Sequence, residues 1–121
     1  MPSATTTYSM VLGSLLKQRW EEQGMNQQDF FEASGIATGS WSRIMRGQAH
    51  MNIEDIRAAC AAVDYDVSEL TSKADGAIIE LEREEDIIVA DKDEIKEKGS
   101  LLPAIIAATA LGFLLFRLLK K

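Results

Sequence analysis

Cysteine is all but missing from this 121-residue chain, Cys60 being the only one. A single thiol excludes an intrachain disulfide and fits a reducing compartment. Its setting in the alanine-rich run at 58–62 marks it as buried filler rather than a nucleophile. Histidine is as scarce: His50 stands alone, without Cys or His at ligand spacing, so no metal site is expected. Paired carboxylates, a nucleophile beside a base and a phosphate-binding loop are also missing, so neither an enzyme nor a cofactor is expected. Basic residues are outnumbered, 13 Lys+Arg against 19 Asp+Glu, for a formal charge of −6. Nucleic-acid modules usually carry a basic face, because phosphate neutralisation supplies most of their affinity. The bulk charge therefore argues against DNA, and its distribution has to decide. No secretory signal opens the chain; residues 1–8 are polar and threonine-rich and are expected to be disordered.

What is present is organised around Gln27–Gly47, which reads as a short helix, a glycine-bearing turn and a second helix. Asn26 can cap the first helix through its side chain, with Asp29 three residues on as capping-box partner. Phe30 and Phe31 supply its buried face, and Gly35 stops it. Ile36 anchors the turn, while Trp41 and Ile44 give the second helix its inward side. Before this unit, Leu12, Leu15, Leu16 and Trp20 recur at helical spacing in a helix from Ser9 to Gln23. After it, Asn52 caps a fourth helix, with Ile53, Ile56, Ala59, Cys60 and Val63 facing inward. A short turn at Ser68–Thr71 closes a domain expected to span 9–72.

These residues resemble the Cro and phage-repressor (Xre) helix-turn-helix family. The resemblance runs from Leu12 to Leu70, through LGSLLKQRWEEQG, MNQQDFFEASGI, SWSRIMRG and DVSEL. It implies a five-helix, repressor-like, all-α domain in which Thr38–Arg43 is the recognition helix, entering the major groove by its N-terminal end. The DNA-binding residues it implies are Gln27, Gln28, Thr38, Ser40, Ser42, Arg43 and Arg46. Gln27 would touch a phosphate and brace the recognition helix. Thr38 and Ser40 would meet base edges or phosphates, and the two arginines would carry charge contacts. Several positions depart from the family. Phe31 stands where Ala is preferred, Trp20 where Arg is common, and Ala37 replaces a capping Ser. Gly39 inside the recognition helix costs about 1 kcal/mol relative to Ala.

Composition changes after Ser72. The segment 73–99 is an acidic linker with ten acidic and five basic residues. Its two apolar patches, AIIEL at 77–81 and DIIVA at 86–90, favour a β-hairpin over the rival helical stalk. Residues 100–121 follow as a tail. Leu101 to Leu119 contains one charge, Arg117, and eleven Leu, Ile or Phe residues. As one helix it would span roughly 28 Å, close to one hydrocarbon core. A C-terminal transmembrane tail anchor is therefore expected, with a buried helix of a soluble oligomer as the alternative. Ala104, Ala108 and Gly112 fall four apart and would form a dimerising face between membrane helices. The flanking charges, Lys92, Lys96 and Lys98 before and Arg117, Lys120 and Lys121 after, tie for orientation. The single cysteine and the helix-turn-helix place the N-terminal domain in the cytoplasm, at the inner membrane.

Two functions follow from the residues and the resemblance together. One is a membrane-tethered, dimeric DNA-binding transcriptional regulator, with DNA and the lipid bilayer (through 101–119) as partners. The other is a membrane-anchored adaptor that uses the helix-turn-helix domain, or the acidic linker, for protein contact.

Overall fold

Helix signals between Tyr8 and Glu84 are realised as five helices in the computed structural model, which describes residues 4–91, 94, 97 and 101–119. They are α1 (Tyr8–Glu22), α2 (Gln27–Ser34), α3 (Thr38–Met45), α4 (Ile53–Ala62) and α5 (Val67–Glu84). Local chemistry sets their ends. The Asn26 side chain accepts from the Asp29 N–H at 2.8 Å while Asp29 reaches back to the Asn26 N–H, a complete capping box. Asn52 caps α4 through the Asp55 N–H at 2.7 Å, and Asp66 caps α5 through Ser68. The hydroxyl and N–H of Ser68 hold the Asp66 carboxyl below its ordinary range. Gly35 ends α2 at φ 75°, a conformation glycine adopts without steric cost.

The core is centred on α1. Every residue from Ser9 to Leu16 is buried, so this half of the helix has no solvent face. Such a helix must be covered all round. Helices α3 and α5 take two sides, and a short strand β1 (Ala4–Thr7) precedes it. Gly13 permits the α1–α3 approach, since a Cβ there would lie 2.4 Å from the Met45 sulfur. Below Leu16, Trp20 joins Phe30 and Trp41, with ring centroids 4.3 Å and 5.6 Å away. Arg19 and Gln23 are committed to the α4–α5 turn: Arg19 donates to the Asp64 carbonyl at 2.7 Å and Gln23 to the Val63 carbonyl at 2.7 Å.

Several expectations are corrected here. Ala4–Thr7 is ordered, not disordered: Thr5, Thr6 and Thr7 are fully buried in β1, where β-branched side chains suit a packed strand. The β-hairpin is not formed. Residues 77–81 belong to α5, because Leu70, Ala74, Ala77 and Leu81 continue one helical stripe past the boundary expected at Ser72. Residues Ile87–Ala90 form β2, paired in parallel with β1 in the register Ala4 with Ile87 to Thr7 with Ala90. The described chain is thus mostly helical rather than all-α. Ile53, expected inward, is 62% exposed.

The expected transmembrane helix is corrected as well. Among the described residues no helix is long and apolar enough to cross a membrane. Residues 103–107 form an extended arm. The Thr5 N–H donates to the Ala104 carbonyl at 2.9 Å, the Ile106 N–H donates to the Thr5 carbonyl at 2.8 Å, and the Thr5 hydroxyl donates to the Pro103 carbonyl at 2.7 Å. Proline, with no N–H to give, fits an edge segment of this kind. Only Ala108–Leu119 is helical (α6), which is about 18 Å at ~1.5 Å per residue. Its Leu111, Leu115 and Leu118 are buried against α1 and α5, and Arg117 pairs with Glu85 at the end of α5. Lys92, Lys96, Lys98, Lys120 and Lys121, on which the orientation argument turned, lie outside the described residues.

One contact between α1 and α5 is titratable. The Tyr8 hydroxyl donates to the Asp75 carboxylate at 3.0 Å, joining α1 to α5. Burial first, then the hydrogen bond and charge of Asp75, push the phenol up to about 12. The folded state thus holds the Tyr8 proton more tightly than the unfolded chain. Its contribution to stability is complete below pH of about 10 and is lost as pH rises from there towards about 12. Denaturant midpoints measured across that window should fall with pH, and the fall should be shallower in Tyr8→Phe.

Candidate nucleic-acid interface

The α2–turn–α3 unit presents its outer surface around α3. Trp41 and Ile44 point into the core, and this leaves Thr38, Gly39, Ser42 and Arg43 exposed along the helix, with Arg46 exposed at its C-cap. Arg43 and Arg46 are three apart and share a face. Arg43 makes no side-chain hydrogen bond or ion pair among the described residues. Arg46 makes no ion pair among them, and its Nε donates only to the Ser42 carbonyl at 3.3 Å.

The charge distribution around this face differs from the bulk. From Ala33 to Ile53 the chain contains no Asp or Glu, while both arginines fall inside that run. Within a chain of net charge −6, this run of residues is thus cationic taken by itself. The amino end of α3 adds to it. Ala37 supplies no side-chain cap, so the first-turn N–H groups are open and the positive end of the helix dipole faces outward.

Gln27, Gln28 and Thr38 lie together beside this face. Gln27 and Gln28 are exposed in the first turn of α2, and Gln28 donates to Glu32 at 3.4 Å. Together with Thr38, Phe31 and Glu32 they line one shallow groove between the amino ends of α2 and α3. Ser40 is half-buried and Ser42 exposed. Phe31, expected on the buried face with Phe30, packs against the core but is only half-buried, and its other side opens on this groove. The spacing of residues 27, 28, 31 and 32, which is one helical face, is the signal that could have found it.

The proposed dimerising face is not formed. Ala104 sits in the extended arm beside Arg46, Gly47 and Gln48. Ala108 and Gly112 are in α6 and line a cleft with Ser14, Lys17 and Gln18 of α1. The three residues therefore do not share one helical stripe. The arm also reaches the C-terminal end of α3, where Ile105 lies over Gly47: a Cβ at Gly47, whose φ is 75°, would be 3.1 Å from that side chain.

Comparison with known families agrees with this geometry. The model of the helix-turn-helix domain family matches residues 11–72, just over half of the chain. The chain belongs to this helix-turn-helix family. The matched region of the helix-turn-helix protein begins at the buried half of α1 and ends inside α5, so β1, β2, the arm and α6 lie outside it. No curated protein and no solved structure matches the chain.

Proposed function

We propose that this helix-turn-helix protein binds double-stranded DNA through the exposed face of α3 and acts as a transcriptional regulator, reading two half-sites as a dimer. The observation that carries the reading is the acid-free run 33–53 with Arg43 and Arg46 exposed, uncompensated by any acid among the described residues. Arg43 and Arg46 supply phosphate contacts, and Thr38, at the amino end of α3, reaches base edges. The surrounding acidic surface limits affinity, so salt dependence and pairing of two copies matter more here than in a basic module. A labelled random-sequence duplex titrated with the full chain across a salt series tests this. Affinity should fall as salt rises, and Arg43→Ala and Arg46→Ala should each reduce the log–log slope by about one per bound chain. No binding at the lowest salt, by the chain or by a fusion that forces it to dimerise, would sink the reading.

A second reading, protein contact, has its own observation. Helix α6 exposes Phe113 (70%) and Phe116 (52%) on the side away from its buried leucines. If DNA binding fails in both forms above, this aromatic face becomes the surface to examine.

A further inference from the structure

The groove between the amino ends of α2 and α3 is chemically unlike the arginine face beside it. Its floor is the Phe31 ring, held from behind by Phe30 and Trp41 at centroid distances of 5.8 Å and 6.1 Å. Its rim carries the amides of Gln27 and Gln28, the Thr38 side chain and the Glu32 carboxylate. A phosphate is excluded from such a place by the apolar floor and by the like charge of Glu32. What suits it is a neutral edge that offers a methyl group beside hydrogen-bonding atoms. In duplex DNA that edge is an A·T pair viewed from the major groove: the thymine methyl and O4, with adenine N6 and N7 alongside.

We propose that Phe31, with the Thr38 methyl, forms an apolar contact for a thymine 5-methyl group, so that the protein selects A·T pairs at this position. A glutamine amide on the rim is the matching partner for adenine. The inference deepens the DNA-binding reading and rests on it. Its charge argument is the arrangement along α3. Arg43 and Arg46 grip the backbone about 7.5 Å and more from Thr38, at ~1.5 Å per residue, leaving the helix's amino end and the groove for bases. Glu32 then acts by exclusion, disfavouring any register that would bring a phosphate into the groove.

The test uses the full chain and a random-sequence duplex library. Duplexes retained by the wild-type protein are compared with copies in which each thymine in turn is replaced by deoxyuridine, a change that removes only the 5-methyl group. One thymine per half-site should show a loss of about fourfold, the value of one buried methyl. In Phe31→Ala that difference should vanish, while Phe31→Leu should keep most of it. Circular dichroism of each variant confirms that it is folded, and the thymine–deoxyuridine comparison on the wild-type protein needs no variant. Salt-dependent binding that ignores every deoxyuridine swap, or a penalty that persists in Phe31→Ala, would overturn the Phe31 contact and leave DNA binding standing. Failure to retain any duplex would remove the DNA-binding reading, and this contact with it.

Discussion

Replacing Leu111 by alanine is expected to lower the unfolding free energy by about 2–5 kcal/mol, whereas Phe113→Ala, two residues away, should change it by no more than about 0.5 kcal/mol. Leu111 has no exposed surface and Phe113 is 70% exposed, although the two side chains are similar in hydropathy and sit in the same helix. The contrast follows from docking. Leu111, Leu115 and Leu118 fall at i, i+4 and i+7, one stripe of α6, and fill the space that α1 and α5 leave open. A helix surrounded by lipid would treat the two residues alike, since both faces would meet hydrocarbon. Urea unfolding of the full chain, followed by far-ultraviolet circular dichroism, separates the outcomes. A Leu111→Ala midpoint equal to wild type would mean that α6 contributes nothing to the fold. A lowered midpoint with one cooperative transition would make arm and helix part of the same unit as the matched domain.

That helix also shows where sequence alone stopped. Signals that act over three or four residues were legible: the Asn26–Asp29 box, the Asn52 cap, the left-handed Gly35, and the stripe Leu12, Leu15, Leu16 and Trp20. Contacts between distant segments were not. Pairing Thr5 with Ile88 across a whole helical domain leaves no local trace, because a parallel ladder needs a long crossover and here the crossover is α1–α5. The stripe Leu70–Ala74–Ala77–Leu81 was obscured by a rise in charge at 73, since acidic residues on the outer face of a helix look like a linker. Hydropathy of 101–119 could not distinguish lipid from protein as the apolar partner. Burial of Leu111, Leu115 and Leu118 against α1 and α5 decided it, and that contact lies far from this segment in sequence. At the candidate interface, the arginines and Gln27, Gln28 and Thr38 are the residues that the family resemblance implies. Phe31 is not among them, because its groove depends on how two helices cross.

Phe30→Ala is the second large effect, expected to cost about 3–5 kcal/mol. Phe30 is fully buried, and its ring lies 4.3 Å from Trp20 and 5.2 Å, edge-on, from Trp41. It therefore joins α1, α2 and α3 at one point. Such aromatic contacts add about 0.5–1.5 kcal/mol each to the burial energy. A loss of this size is a large share of the ordinary stability of a domain, about 5–15 kcal/mol, so the variant should remain folded at low temperature but melt much earlier. Both tryptophans touch Phe30, which makes their fluorescence a direct reporter of the site. Phe30→Leu should restore part of the stability by refilling the volume, yet lose the edge-on contact. The consequence for function is geometric. Phe30 and Trp41 hold Phe31 and fix how α3 projects beyond α2, so Phe30→Leu should weaken any DNA binding more than its stability loss accounts for at saturating folding conditions. If Phe30→Ala costs under about 1 kcal/mol, the cluster does not set the crossing of α2 and α3, and the Phe31 groove loses the backing that its thymine contact requires.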